Sequence, residues 1–91
     1  GVFSLVLEGI PLNLAKEITQ EISVPAIGIG AGKHCDGQIL VINDLLGLNT
    51  SFKPLFVRRY AELEKEILDS LNNYSSDVKS QKFPSKKESY K

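Results

Sequence analysis

Two places in the sequence hold residues that could do chemistry. The first is Glu8, which closes the run "FSLVLE". A carboxylate there could be a catalytic group. Plainer readings are a solvated loop carboxylate or a cap for the helix that follows. Position alone does not decide for chemistry over these readings, although in parallel α/β folds, and in (β/α)8 barrels above all, catalytic groups stand at the carboxyl ends of strands. The second place is "GIGAGKHCDG", Gly28–Gly37. Glycines at 28, 30 and 32 let a backbone approach a ligand closely and turn N–H groups toward an anion. A tight strand-to-helix turn needs the same small residues. The spacing only partly matches a dinucleotide fingerprint. Lys33 stands where the third glycine belongs, and no long helix starts there, which argues against dinucleotide binding. A phosphate or carboxylate loop remains.

His34, Cys35 and Asp36 are adjacent, so their side chains diverge and do not readily chelate one metal. No second cluster at zinc spacing follows. A Cys–His nucleophile pair would have to be assembled by the fold. The plain readings are a loop histidine, an inert thiol, and Asp36 as a helix N-cap. Asp44 reads as a surface or helix-end carboxylate.

These residues need elements to position them. Phe3–Leu7 is apolar apart from Ser4 and reads as a strand buried on both faces. Pro11 suits the first turn of a helix. Leu14, Ala15, Ile18 and Ile22 recur at helical spacing. Ser23-Val24-Pro25 breaks that helix, and Ala26–Ile29 forms a second strand. Strand, helix of about ten residues, strand is a βαβ unit with parallel strands. The segment "GQILVINDLLG" fits strand or helix. Capping by Asp36 and termination by Gly47 favour a helix. A long helix is expected from Leu55, with Phe56, Tyr60, Leu63, Ile67, Leu71, Tyr74 and Val78 as its apolar stripe. Arg58–Glu62 and Lys65–Asp69 are opposite charges at i,i+4 along it. Arg58 and Arg59 read as its solvated face. Phe83-Pro84 ends the structured part, residues 1–84, and 85–91 is a polar, mobile tail. Two parallel strands cannot cover both faces of a sheet, so strands from elsewhere in a longer chain or from other subunits are expected. The start at Gly1, without Met, fits a piece of a longer protein.

Composition narrows the function classes. The 91 residues allow one small domain. Lys and Arg total 11, as do Asp and Glu, so net charge is zero. That balance does not support nucleic-acid binding. Cys35 is the only cysteine and excludes an intrachain disulfide, which fits a reducing, cytoplasmic setting. No apolar run approaches the about 20 residues that span a membrane.

In combination, "LVLEGIPLNLAKEIT", "VPAIGIGAGKHCDGQILVINDLLGL", "FVRRYAEL" and the late "FP" resemble the C-terminal part of the ketopantoate hydroxymethyltransferase family. The resemblance runs from about Phe3 to Pro84. It implies the last quarter to third of a (β/α)8 TIM barrel of about 250 residues, with "FSLVLE" and "AIGIG" as strands seven and eight. It implies a homo-oligomer acting on a small molecule, 3-methyl-2-oxobutanoate. The one-carbon donor would be 5,10-methylenetetrahydrofolate and the product 2-dehydropantoate, on the route to pantothenate and coenzyme A. The glutamate of the "LVLE" strand, here Glu8, would be the general base at C3. A magnesium ion (Mg2+) would hold the keto acid and, as a Lewis acid, stabilise the enolate. Its acidic ligands would lie in earlier strands, so no metal ligand is expected in this chain, and the chain alone should be inactive. Two alternatives remain. One is a non-enzymatic interaction module built on the 55–79 helix. The other is an anion-binding loop at Gly28–Gly32 in a different α/β enzyme.

Overall fold

Leu5–Glu8 (β1) and Ala26–Ile29 (β2) run parallel, joined by a helix over Leu12–Glu21 (α1), in a computed structural model that describes residues 1–91. Leu5 pairs with Ala26 and Glu8 with Ile29. The Leu5 N–H donates to the Pro25 carbonyl (2.9 Å) and the Gly9 N–H to the Ile29 carbonyl (3.0 Å), so the ladder is bonded at both ends. Helix α1 starts after Pro11, as proline geometry favours. It ends at Ile22, before the break at Ser23-Val24-Pro25.

The segment after the glycine loop departs from expectation. Gly37–Gln38 is a short third strand (β3), parallel to β2, and the sheet order is β1-β2-β3. The helix is only Ile42–Leu45 (α2). Asp36 does not cap it. Its Oδ2 accepts the Ala26 N–H at 2.8 Å and ties the entrance of β3 to the start of β2. The physical reason lies at Gly37, which has no side chain where the Ile27 side chain packs close, so the two strands can pair. The Ile39 N–H then donates to the Gly28 carbonyl (3.0 Å). Gly47 does end α2, at φ +68°, with the 61–62 backbone packed against its Cα.

The long helix begins later than its apolar stripe suggests. It covers Leu63–Lys79 (α3). Upstream, the Tyr60, Leu63 and Glu64 N–H groups donate to the carbonyls of Leu45, Leu46 and Gly47 (2.7, 3.1 and 3.0 Å). Residues 57–62 therefore run as a strap along the end of α2, not as a helical turn. Phe56 and Tyr60 share the helical spacing only by coincidence. The Lys65–Asp69 pair forms at 2.8 Å. Arg58 and Glu62 do not pair: Arg58 Nη1 faces the Tyr60 hydroxyl instead, at 3.5 Å. Beyond α3, Tyr74 and Phe83 meet edge to face, with ring centroids 5.6 Å apart.

Residues Lys86–Glu88 form a 3-10 turn closed by a reciprocal cap. The Glu88 carboxylate accepts from the Ser85 hydroxyl and from the Ser85 N–H. These bonds favour the ionised form and hold the Glu88 carboxyl below the ordinary glutamate range. The cap is thus fully present above the ordinary value and is lost as pH falls through the lowered one. A carbon-13 titration of the Glu88 carboxyl should show a lowered midpoint, and Ser85→Ala should raise it.

Little of the chain is out of water. Six of 91 residues are buried, and the apolar ones are Ala15, Ala26, Ala31 and Val57. The radius of gyration is 22.0 Å, against about 12 Å for a compact chain of this length. Along β1, Leu5 and Leu7 are partly covered while Val6 and Glu8 are exposed. One face of the sheet is sheltered by the chain itself, and the other is open. The apolar stripe of α3, from Ile67 to Val78, is 44–59% exposed. With so small a core and unpaired strand edges, the isolated 91-residue chain should show no single cooperative thermal transition. It should also self-associate in sedimentation velocity. A sharp two-state melt of a monomer would contradict this.

Candidate active site

The carboxyl ends of β1 and β2 lie side by side, and the residues that could do chemistry gather there. Glu8 is the last residue of β1, and Gly30 directly follows β2. Paired residues on parallel neighbours point to the same side, so Val6 and Glu8 share a face with Ile27 and Ile29. That is the open face. The Glu8 carboxylate is exposed and makes no ion pair or hydrogen bond within the chain. The carboxylate at this edge is thus uncommitted within the chain.

The glycine loop is held by bonds that the sequence does not announce. The Gln38 side-chain amide donates to the Gly32 carbonyl at 2.7 Å, closing residues 32–38 into a compact turn. The Phe56 ring lies so close over Gly30, at φ +67°, that a Cβ there would stand 2.8 Å from a ring carbon. Glycine is required at 30 on both counts. The loop is thus a tight turn packed under an aromatic ring. The Cys35 thiol packs over Gly28, and His34 is an exposed turn residue. The fold does not bring Cys35 and His34 together as a nucleophile pair. Nowhere do three His, Cys, Asp or Glu side chains assemble in metal-holding geometry.

Sequence reasoning missed the part of the site supplied by the strap. Phe56, Arg58 and Tyr60 join Gly30, Lys33 and Leu40 around a concavity of about 970 Å³ at the same edge of the sheet. Arg58 therefore belongs to a concave wall and not to a helix surface. Arg59, expected on the same solvated face, is partly buried, and its Nε has no hydrogen-bond partner. No local signal reveals the strap: Pro54 directly precedes the expected helix start at Leu55, where a proline is compatible with a first turn.

A small parallel sheet with a crossover helix is an α/β framework, and in such frameworks ligand sites lie beyond the carboxyl ends of the strands. Residues 1–86 match the family described as ketopantoate hydroxymethyltransferase, and the chain belongs to that family. It is 60% identical over 90 residues to a 3-methyl-2-oxobutanoate hydroxymethyltransferase of Prosthecochloris aestuarii (strain DSM 271 / SK 413), covering 99% of this chain and 32% of that protein. It is 58% identical over 90 residues to the protein of that name from Chlorobium phaeobacteroides (strain BS1), with the same coverage. It is 54% identical over its full 91 residues to the one from Citrifermentans bemidjiense (strain ATCC BAA-1014 / DSM 16622 / JCM 12645 / Bem), covering 34% of it. The chain spans about a third of the length of the curated relatives it matches.

The bond from Asp36 to the N–H of fully buried Ala26 joins the loop to the sheet. Asp36→Ala should cost about 1–3 kcal/mol by leaving that donor without its partner. Denaturant unfolding of the full-length protein should show the loss, and an unchanged midpoint would count against this role.

Proposed function

We propose that this chain supplies the closing strands of a (β/α)8 barrel, and that Glu8 acts there as the general base of a hydroxymethyl transfer to 3-methyl-2-oxobutanoate. One observation carries the proposal. In a chain 58% and 60% identical to transferases of that name, the free carboxylate stands at the carboxyl edge of a parallel sheet, on its open face. In a closed barrel, β1 and β2 would be strands seven and eight. Residues 1–84 would belong to that domain, with 85–91 as a tail.

The chemistry suits a carboxylate. The C3–H bond of the keto acid is activated by the neighbouring carbonyl, and Glu8 would accept that proton. A bond then forms between C3 and the one-carbon unit of 5,10-methylenetetrahydrofolate. Water supplies the hydroxyl oxygen. One proton from water and one passed through Glu8 end on the two folate nitrogens that the one-carbon unit leaves.

Magnesium is part of the same reading, but Glu8 has no second and third ligand beside it. The residues present do not fit a magnesium site, and any ligands would come from outside this chain. The alternative of a helical interaction module is not favoured, because the chain matches transferases over nearly its whole length, and its proposed stripe is shorter than expected. The helix begins at Leu63, and Phe56 is engaged over Gly30.

In the full-length protein, Glu8→Gln should lower kcat by about 10²–10⁴-fold. The KM for the keto acid should change little, because an amide of the same shape keeps the contacts. Exchange of the C3 proton with solvent deuterium, followed by proton NMR, should fall in parallel. Undiminished exchange would rule out the base role.

A further inference from the structure

The concavity beyond β2 and β3 has a chemical character of its own. Phe56 and Tyr60 give it aromatic walls, and Leu40 and Leu45 contribute apolar surface. Its only charged residues are Lys33 and Arg58, and no carboxylate lines it. Neither cation is spent elsewhere: the one ion pair in the chain is Lys65–Asp69. The contact of Arg58 with the Tyr60 hydroxyl is long, at 3.5 Å, and leaves most guanidinium N–H groups free. Because the whole chain has no net charge, this is a local concentration of positive charge. A space of about 970 Å³ is at the upper end of what small-molecule sites occupy.

We infer that this concavity binds a flat aromatic ligand carrying carboxylates. The aromatic part lies against Phe56 and Tyr60, and the carboxylates meet Arg58 and Lys33. A guanidinium fork matches a carboxylate in two-point geometry, while the lysine adds a mobile point charge. The inference rests on the transferase reading and deepens it. The p-aminobenzoylglutamate end of a reduced folate is a ligand of this class. Glu8 pairs with Ile29, and Gly30 of the concavity comes next, so base and concavity share one edge of the sheet. A donor anchored by its tail in the concavity would have its one-carbon end free to extend along that edge.

The test is equilibrium binding of p-aminobenzoylglutamate to the full-length protein, by titration calorimetry at low and raised salt. Arg58→Gln and Lys33→Gln should each raise Kd by about tenfold. Arg58→Lys should raise it less, and added salt should weaken binding in the parent protein. The probe p-aminobenzamide, which lacks the glutamate, should bind the parent and both Gln variants alike. Circular dichroism of each variant establishes that it is folded. Equal affinity of parent and both Gln variants, or equal losses with the tail-less probe, would overturn the inference. Because the probe does not react, Glu8→Gln should leave its Kd unchanged. Arg58-dependent binding in a protein whose transfer ignores Glu8 would overturn the base role and keep the concavity. Glu8-dependent transfer with Arg58-independent binding would do the reverse.

Discussion

Parallel strands form a stable sheet only when both faces are covered, and that requirement governs everything in this chain. β2 is the one strand with a neighbour on each side. β1 and β3 each offer an unpaired edge, and the face bearing Val6 and Glu8 is open to water. The chain's own residues shelter the other face. A closed ring of strands would satisfy edges and open face together. The site depends on the same condition. Glu8 is now in water. In the closed barrel proposed above, much of that water would be excluded.

The glycine loop translates this sheet geometry into a second structural unit. β2 leaves the sheet through Gly30 and returns almost at once as β3, because Asp36 bonds back to Ala26 and Gln38 bonds back to Gly32. The return is so short that the backbone must be bare at Gly30. Bareness there admits the Phe56 ring, and the ring brings the strap with it. A bond network of a few local contacts thus places a residue 26 positions away beside the strand ends. The strap is fixed at its far side by Tyr60 on Leu45 and by the Thr50–Glu64 contact.

Periodic signals and punctuation were legible in the sequence. The βαβ unit follows from two short apolar runs, Pro11, and the Ser23-Val24-Pro25 break, and the structure shows strands and helix there. The position of Glu8 at a strand end was read correctly for the same reason. The segments at 36–46 and 55–62 were misread because their conformation is decided by distant partners. A carboxylate at 36 can cap a helix or hold a buried N–H on another strand, and only the pairing of Gly37 with Ile27 decides between them. Phe56 and Tyr60 have helical spacing, but carbonyls at the end of α2 were available to bond the strap. Local propensity is a weak prior against such tertiary bonds. The concavity was unreadable for that reason: Lys33 is far in sequence from Phe56, Arg58 and Tyr60, and it meets them only through the strap.

Charge placement along this edge suits a division of labour. Opposite charges held in contact favour a carboxylate's ionised form and make it a poorer proton acceptor. In this chain Glu8 forms no ion pair, while Lys33 and Arg58 line the concavity beyond β2. One strand end thereby carries a free carboxylate, and the next carries free cations. Parallel register sets that separation. Glu8 stops at the level of Ile29, and the cations enter only after the backbone has passed Gly30. A loop long enough to fold back over β1 could bring Lys33 onto Glu8 and pair the two charges. The tight return that Gln38 enforces by bonding Gly32 works against that. The bond from the Gln38 amide to the Gly32 carbonyl thus keeps the loop compact at the end of β2, away from Glu8.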